Sequence, residues 1–423
     1  MSKSLSSRSL LAASIFVAGA AYSGLSYAAG EALETEVWDV SAPDYSVEAQ
    51  TIPLSVNEGT WMNLDVSPDG SRIAFDLLGD IYEIPITGGK ASPLLSGHAW
   101  EIQPQYSPDG RFLAFTSDRN GADNIWVMEL ANPDNKQQIT HETFRLLNNP
   151  SWHPSGDYLV AKKHFTTSRS LGTGEVWLYD ANLDTTVARA NLSGSVLVER
   201  PSPAFQKELG EPTFSADGKS VFYIQNTTPG NTFIYHEDSN GEVMAIKRYD
   251  LEQGEISKVV GGAGGAVRPT PSPDGKSLAF VKRVRAASRL FVLDLESGEQ
   301  TMLVDDLDPD MQETWAVQGA YPTMAWMPDS SEIVYWSKGK IWRVDVDTKV
   351  SVNIPFEVAD ERSAYPAVQV AVDVAPDTLT TSMPRFATAS PTGNTIVFES
   401  MGKLYRQTAD GAAKRLTRDK GDN

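Results

Sequence analysis

Ser107-Pro108-Asp109-Gly110, followed directly by Arg111-Phe112-Leu113-Ala114-Phe115, is the stretch whose reading decides the fold. Proline pre-sets φ for the second place of a type I turn, serine suits the first, and glycine takes the left-handed conformation at the fourth. The five residues behind the turn read as a strand. A second strand, Asn124-Ile125-Trp126-Val127-Met128, follows the loop Asp118-Arg119-Asn120-Gly121.

The unit recurs. Its turn stands at Ser67-Pro68-Asp69-Gly70, at Ser107 to Gly110, at His153-Pro154-Ser155-Gly156 and at Ser215-Ala216-Asp217-Gly218. It returns at Ser272-Pro273-Asp274-Gly275, Met327-Pro328-Asp329-Ser330 and Ser390-Pro391-Thr392-Gly393, which makes seven copies 40 to 63 residues apart. Behind the turns the copies align more closely still. Ile73, Leu113, Leu159, Val221, Leu278, Ile333 and Ile396 share one position; Phe75, Phe115, Ala161, Tyr223, Phe280, Tyr335 and Phe398 share the position two further on. The intervening position is also apolar, and three apolar residues in succession describe a strand buried on both faces.

A third strand recurs with a large apolar centre, as in Asp80-Ile81-Tyr82-Glu83-Ile84, Val176 to Tyr179, Leu290 to Leu293, Ile341 to Val344 and Leu404 to Arg406. In the fourth copy it falls at Val243 to Ile246, without an aromatic residue. A short fourth strand follows, as in Ser92 to Leu95 or Gln137 to Thr140. Four short strands repeated seven times form the pattern of an all-β fold, a β-propeller of about seven four-stranded blades, with its completeness at the C-terminus left open. Blades are expected near residues 61–95, 102–140, 148–190, 211–258, 268–304, 321–354 and 384–417 of a propeller spanning 51–423. Stacked blades hide one another's faces, and each large apolar side chain so buried contributes roughly 1.5–3 kcal/mol. The tyrosine and tryptophan positions are read as core.

Several segments break the rhythm. Lys162 to Gly174 and Asn226 to Gly241 read as insertions, Gly261 to Gly265 as a flexible connector, and Asp305 to Gln318 and Asn353 to Thr381 as inter-blade excursions. Thr51 to Val56, before the first turn, resembles the fourth strand of a blade, yet Lys414 to Thr417 already supplies one after the seventh copy. Arg418 to Asn423 reads as the run-in to a further turn, so the expectation is the front part of a longer chain.

With 423 residues and 41% hydrophobic residues, most of the chain can bury a large core. The net charge of −19 comes without a basic stripe and argues against nucleic acid as a partner. The absence of cysteine excludes disulfides, thiolate metal sites, a cysteine nucleophile and a lipid-modified N-terminal cysteine. Lys3 and Arg8, the apolar run Leu10 to Ala21 and Ser26-Tyr27-Ala28 describe a signal peptide over 1–28, cleaved after Ala28 and too short in its apolar part to span a membrane. Residues 29–50 are read as an acidic arm. Export to the periplasm or beyond, with no membrane span after cleavage, is the expected localisation.

Trp61 to Gly70, Phe75 to Tyr82 and Ser117 to Trp126 carry a resemblance. The repeats resemble those of TolB-like propellers, and the first blade is similar to the N-terminal region of large secreted bacterial amidohydrolases. In that family a TolB-like propeller precedes a metal-dependent barrel related to imidazolonepropionase. The resemblance implies a divalent metal such as zinc in that barrel only, held by a His-x-His pair, further histidines and an aspartate. Here His98, His141, His153, His164 and His236 include no pair separated by one residue. No catalytic, cofactor-binding or metal-binding residue is therefore assigned to this segment, and the implied catalytic domain lies beyond Asn423.

Other chemistry finds no support in the motifs. Neither a Gly-x-Ser-x-Gly elbow nor a phosphate-cradling loop occurs. The prolyl oligopeptidase family also places a propeller before its hydrolase domain, so that partner stays open. Asp305, Asp306, Asp308 and Asp310 lack the glycine and terminal glutamate of a helix-loop-helix calcium site and are read as a solvated loop. Asp118, Arg119 and Asp123 are expected to pair and fix their own loop. The expected function is a non-catalytic propeller that gates or binds substrate for an amidohydrolase-like enzyme. The alternatives are a self-contained propeller binding an envelope protein, and a peptidase propeller.

Overall fold

The computed structural model describes residues 39–40, 48–168, 171–181, 183, 194–366 and 372–418. The signal segment 1–28, most of the arm 29–50 and part of the third blade's range lie outside them. The described residues form no helix. They contain seven four-stranded antiparallel sheets whose strands lie side by side in chain order. Residues up to Tyr365 form one compact unit and those from Pro366 a second.

In each sheet the recurring turn joins the first strand to the second. In every copy the fourth residue's N–H donates to the first residue's carbonyl, from Gly70 to Ser67 at 2.7 Å through Gly393 to Ser390 at 2.9 Å. The aspartate at the third place adds a second closure. Asp69 Oδ1 accepts the Ser67 hydroxyl at 2.6 Å, and Asp217 and Asp274 accept Ser215 and Ser272 in the same way. These serine hydroxyls hold all three carboxyls below the usual range. His153 replaces the serine structurally: its Nδ1 faces Ser155 Oγ at 2.9 Å and its ring packs edge-on against Phe214.

The strands that follow have no solvent face in the first six sheets. Ile73, Leu113, Leu159, Val221, Leu278 and Ile333 are completely buried. The expected third strands pair in register with them, as Phe75 with Tyr82 and Phe115 with Trp126. In the fourth copy the third strand is Met244–Asp250. The second copy's last strand, Asn132–Gln138, begins earlier than expected and carries an irregularity between Asn132 and Lys136.

Within the first unit each sheet packs against the next, and the first strand of the first sheet also packs against the sixth. Thr323 N donates to Asn63 Oδ1 at 3.1 Å, and Leu64 N donates to Thr323 Oγ1 at 2.8 Å. Six blades thus meet end to end within residues 61–354, and a hydrogen-bonded seam joins the last to the first.

Thr51 to Val56 is not a blade's fourth strand. It belongs to Gln50–Val56, which pairs antiparallel with Phe356–Ala364 from Gln50 opposite Ala364 to Val56 opposite Val358. Phe356 and Glu357 in turn run parallel to Gly89 and Lys90. The chain leaving the sixth blade is therefore fastened to the first, with Phe356 against Phe75 at 5.2 Å, Tyr82 Oη donating to Asp360 Oδ2 at 3.1 Å, and Arg362 paired with Asp80. An antiparallel partner with a matching alternation was available only after the chain had come round the ring.

Three connector readings also need correction. Lys162 to Thr166 is no insertion: it extends the strand Tyr158–Thr166, whose hairpin partner is Gly172–Asp180. Gly261 to Gly265 is packed and bonded. Gly262 N donates to Glu242, Gly265 N donates to Gly262 O at 2.9 Å, and a Cβ on Gly264, whose φ is +85°, would lie 1.8 Å from Arg283 O. Asp310 is not solvated but 5% exposed, as described next.

Candidate functional site

The inner strand of each blade carries a polar residue four positions before the turn: Asn63, Gln103, Asn149, Glu211, Arg268 and Thr323. In blades two to five this residue sits at a β-bulge. The register slips between Ile102 and Gln105, Asn148 and Ser151, Gly210 and Thr213, and Val267 and Thr270. Gln103, Asn149, Glu211 and Arg268 have φ between 50° and 58°, a left-handed conformation that costs a non-glycine residue on the order of 1 kcal/mol. The next residue is proline in all four, which suits a bulge because no ladder N–H is required there. Bulges re-aim side chains, and here they build one connected polar girdle.

Its bonds pass from blade to blade. Gln103 N donates to Asp76 Oδ2 at 2.9 Å, and Asp76 also accepts Asn63 Nδ2 at 2.8 Å. Asn149 N donates to Gln103 Oε1 at 2.7 Å, and Arg268 N to Glu211 Oε2 at 2.6 Å. Arg268 Nη1 reaches from the fifth blade to Asn149 Oδ1 of the third at 2.9 Å, and its Nη2 lies 3.2 Å from Glu211 Oε1. All these groups are buried, and Arg268 Nη2 has Glu211 as an ion-pair partner but no hydrogen bond of its own.

Residues 305–321, which include the expected excursion Asp305 to Gln318, run across the same blades. Asp310 anchors the segment: Arg283 Nη2 donates to its Oδ1 at 2.7 Å and Ser288 Oγ to its Oδ2 at 2.6 Å. Asp306 and Asp308 are taken up by Lys338. Val317 O accepts Lys162 Nζ at 2.7 Å, and Gln318 O accepts Gln103 Nε2 at 2.8 Å. Trp315 packs edge-on to His164 at 5.6 Å, and Ala320 N donates to Glu211 Oε1 at 2.6 Å. Beneath the segment Lys162 pairs with Glu208 at 2.5 Å, both completely or almost completely buried. Burial pushes the Glu208 carboxyl up to about 7 against the pull of Lys162.

A cavity of about 270 Å³ lies against the girdle. Its walls include the residues two positions beyond the girdle, Asp65, Gln105, Ser151, Thr213 and Thr270, with Trp152, Trp326 and several prolines. The tryptophans are fixed by Nε1 donation to Gln105 O at 3.1 Å and Thr270 O at 2.9 Å. Such a concave site, with rigid apolar walls and a few convergent polar groups, is the form a binding pocket takes. Arg268 Nη1 of the fifth blade meets Asn149 Oδ1 of the third at this pit.

Asp65 is one of the pit's acidic residues. Burial pushes its carboxyl up to about 7, opposed by the N–H donors of Tyr106 and Val66. The unfolded chain releases this proton near pH 4, the folded chain near pH 7. Stability therefore falls as pH rises between those values and stays lower above them. Asp65→Asn, whose amide oxygen can still accept from Tyr106 N, should raise stability at pH 8 by on the order of 2 kcal/mol and change it little at pH 4. Urea unfolding at both pH values reads this, and an equal change at both would refute it.

None of the residues singled out by chemistry in the sequence lines this pit. Asp118 Oδ1 accepts Trp100 N at 2.7 Å, while Arg119 pairs with Glu101 and lies 5.2 Å over the Trp126 ring. These bonds fix the loop, with partners other than the expected ones. Asp123 is half-buried, and desolvation, with the nearby Asp118 charge, pushes its carboxyl up to about 6. The girdle's one signal in the sequence is a polar-proline pair at a constant distance from the turn, in blades two to five. Among the described residues no group of three or more histidines, aspartates or glutamates is placed to hold a metal ion.

Residues 48–209 match the sequence model of the TolB beta propeller domain. The fold is that of a TolB-like propeller. The solved structure of TolB from Acinetobacter baumannii superposes with a TM-score of 0.50 at 16% identity, covering 72% of this chain and 66% of that one. Among curated proteins, the chain is 24% identical over 255 residues to dipeptidyl aminopeptidase BIII of Pseudoxanthomonas mexicana, a match covering 53% of this chain and 36% of that protein. It is 29% identical over 166 residues to the protein Atu1656 of Agrobacterium fabrum, covering 38% of this chain and 53% of the relative. It is 26% identical over 192 residues to the peptidase YuxL of Bacillus subtilis, covering 38% and 29%. The chain thus spans between 29% and 53% of the length of these relatives. Among the described residues no helix is long and apolar enough to cross a membrane.

Proposed function

We propose that this TolB-like propeller is the non-catalytic, substrate-orienting module of an exported hydrolase of peptidase type. One observation carries the reading: the repeats align with dipeptidyl aminopeptidase BIII over 36% of that protein, leaving most of the relative outside the match. The cavity beside the girdle, with Trp152 and Trp326 in its walls, is where such a module would hold its substrate. Export rests on Lys3, Arg8, the apolar run Leu10 to Ala21 and the cleavage site Ser26-Tyr27-Ala28.

The wording of the first blade, Trp61 to Gly70, favours a second reading, in which the partner domain is a metal-dependent amidohydrolase. The two differ in chemistry, one using an activated serine and the other a metal-bound water. The full gene product, assayed with dipeptide p-nitroanilides and N-acyl amides, separates them. Dipeptide release blocked by a fluorophosphonate supports the peptidase reading; amide hydrolysis blocked by a chelator supports the amidohydrolase. A product active on neither, which captures an envelope protein through the propeller, would replace both with a self-contained binding protein. Turnover by purified residues 29–423 would overturn the non-catalytic assignment.

A further inference from the structure

The seventh sheet has the blade's architecture without a blade's burial. Its strands Arg385–Ala389, Thr395–Ser400, Lys403–Thr408 and Lys414–Arg415 lie in the same order as those of the other six. Its register slips at the same place, between Arg385 and Thr388, and Phe386 has the left-handed φ of 50° found at the bulges of blades two to five. Yet Ile396 is 38% exposed where all six counterparts are completely buried. Val397 and Phe398 are part-exposed, and every residue of Arg385–Ala389 is exposed.

Two further observations bear on this blade. The ring is already joined between its sixth and first blades through Asn63, Leu64 and Thr323. At the girdle position, moreover, the seventh copy carries Phe386, 85% exposed, where the ring carries Asn63, Gln103, Asn149, Glu211, Arg268 and Thr323. A phenylalanine offers neither the side-chain acceptor nor the donor by which each girdle residue reaches its neighbour.

We propose that residues 384–417 are a wedge of a second propeller, and that the occupants of its two faces are further four-stranded repeats of this kind on the same polypeptide. The six sibling blades show what covers this face: the flat, apolar side of an adjoining blade. The curated relatives, of which the chain spans only part, show that these repeats occur within longer proteins. The axis of the second ring is apolar at the level where the first is polar.

The test is amide hydrogen exchange on the full gene product, with sedimentation of the mature 29–423 chain beside it. In the full product, Thr395–Ser400 is expected to exchange as slowly as Glu332–Ser337. In the 29–423 chain it exchanges at least 100-fold faster, while the ring stays protected and the chain sediments as a monomer. Ile396→Lys should speed exchange of this strand in the full product and leave the short chain unchanged. Fast exchange of Thr395–Ser400 in the full product overturns the proposal. So does a dimer of the short chain that Ile396→Lys dissociates, which would assign the face to a second copy. Neither readout involves catalysis, so failure of the hydrolase reading leaves this result standing.

Discussion

Arg268→Met should destabilise the ring by about 3–5 kcal/mol, the usual cost of removing one partner from a buried charge pair. The substitution keeps the volume of the stem but leaves the Glu211 carboxyl buried with only the N–H groups of Arg268 and Ala320 as donors. Asn149 Oδ1 and Tyr321 O lose a donor as well. Because all ten tryptophans precede Pro366, urea unfolding followed by tryptophan fluorescence reports the first unit alone. The double variant Arg268→Met with Glu211→Gln should recover part of the loss, since the unpaired charge is then gone. A loss below about 1 kcal/mol for the single variant would mean that solvent reaches the girdle and that the pair behaves like an exposed one.

The second large effect is a contrast between two aligned phenylalanines. Phe75 is completely buried between Tyr82 and Phe356, with ring centroids at 6.0 and 5.2 Å. Phe75→Ala should cost about 3–5 kcal/mol, the range for emptying a packed aromatic site. Phe398 occupies the same repeat position and stacks on Tyr405 at 5.8 Å, but remains part-exposed. In the 29–423 chain Phe398→Ala should cost about 1 kcal/mol or less, because little apolar area returns to water. Hydrogen exchange of the two units reads both losses in one experiment. Equal losses would show that the seventh sheet is covered already in the chain as it stands.

Much of this architecture was legible because it is local. The turn tetrapeptides specify their own geometry through proline, glycine and a serine-aspartate bond spanning two residues, so they could be located without knowing what surrounds them. The three apolar positions behind each turn likewise announced strands covered on both sides. The candidate site was not legible in the same way. Gln103, Asn149, Glu211 and Arg268 are dissimilar side chains up to 165 residues apart, and nothing in their types says that they meet. Asp310 shows the same limit from the other side: among four aspartates it looked like a solvated charge, and only Arg283 and Ser288, brought in from a neighbouring strand, make it an internal anchor.

The sequence by itself determined the repeating unit, its turns, its buried strand and the number of its copies, since each of these depends on contacts within about 40 residues. The tertiary structure alone decided how the copies are shared out. Closure depends on how far each blade rotates from the last, a quantity no single repeat carries; six steps bring Thr323 to Asn63, and the chain then fastens that seam with Phe356–Ala364 and Gln50–Val56. In the seventh copy the same pattern leaves Ile396 38% exposed, because burial belongs to the neighbour and not to the residue.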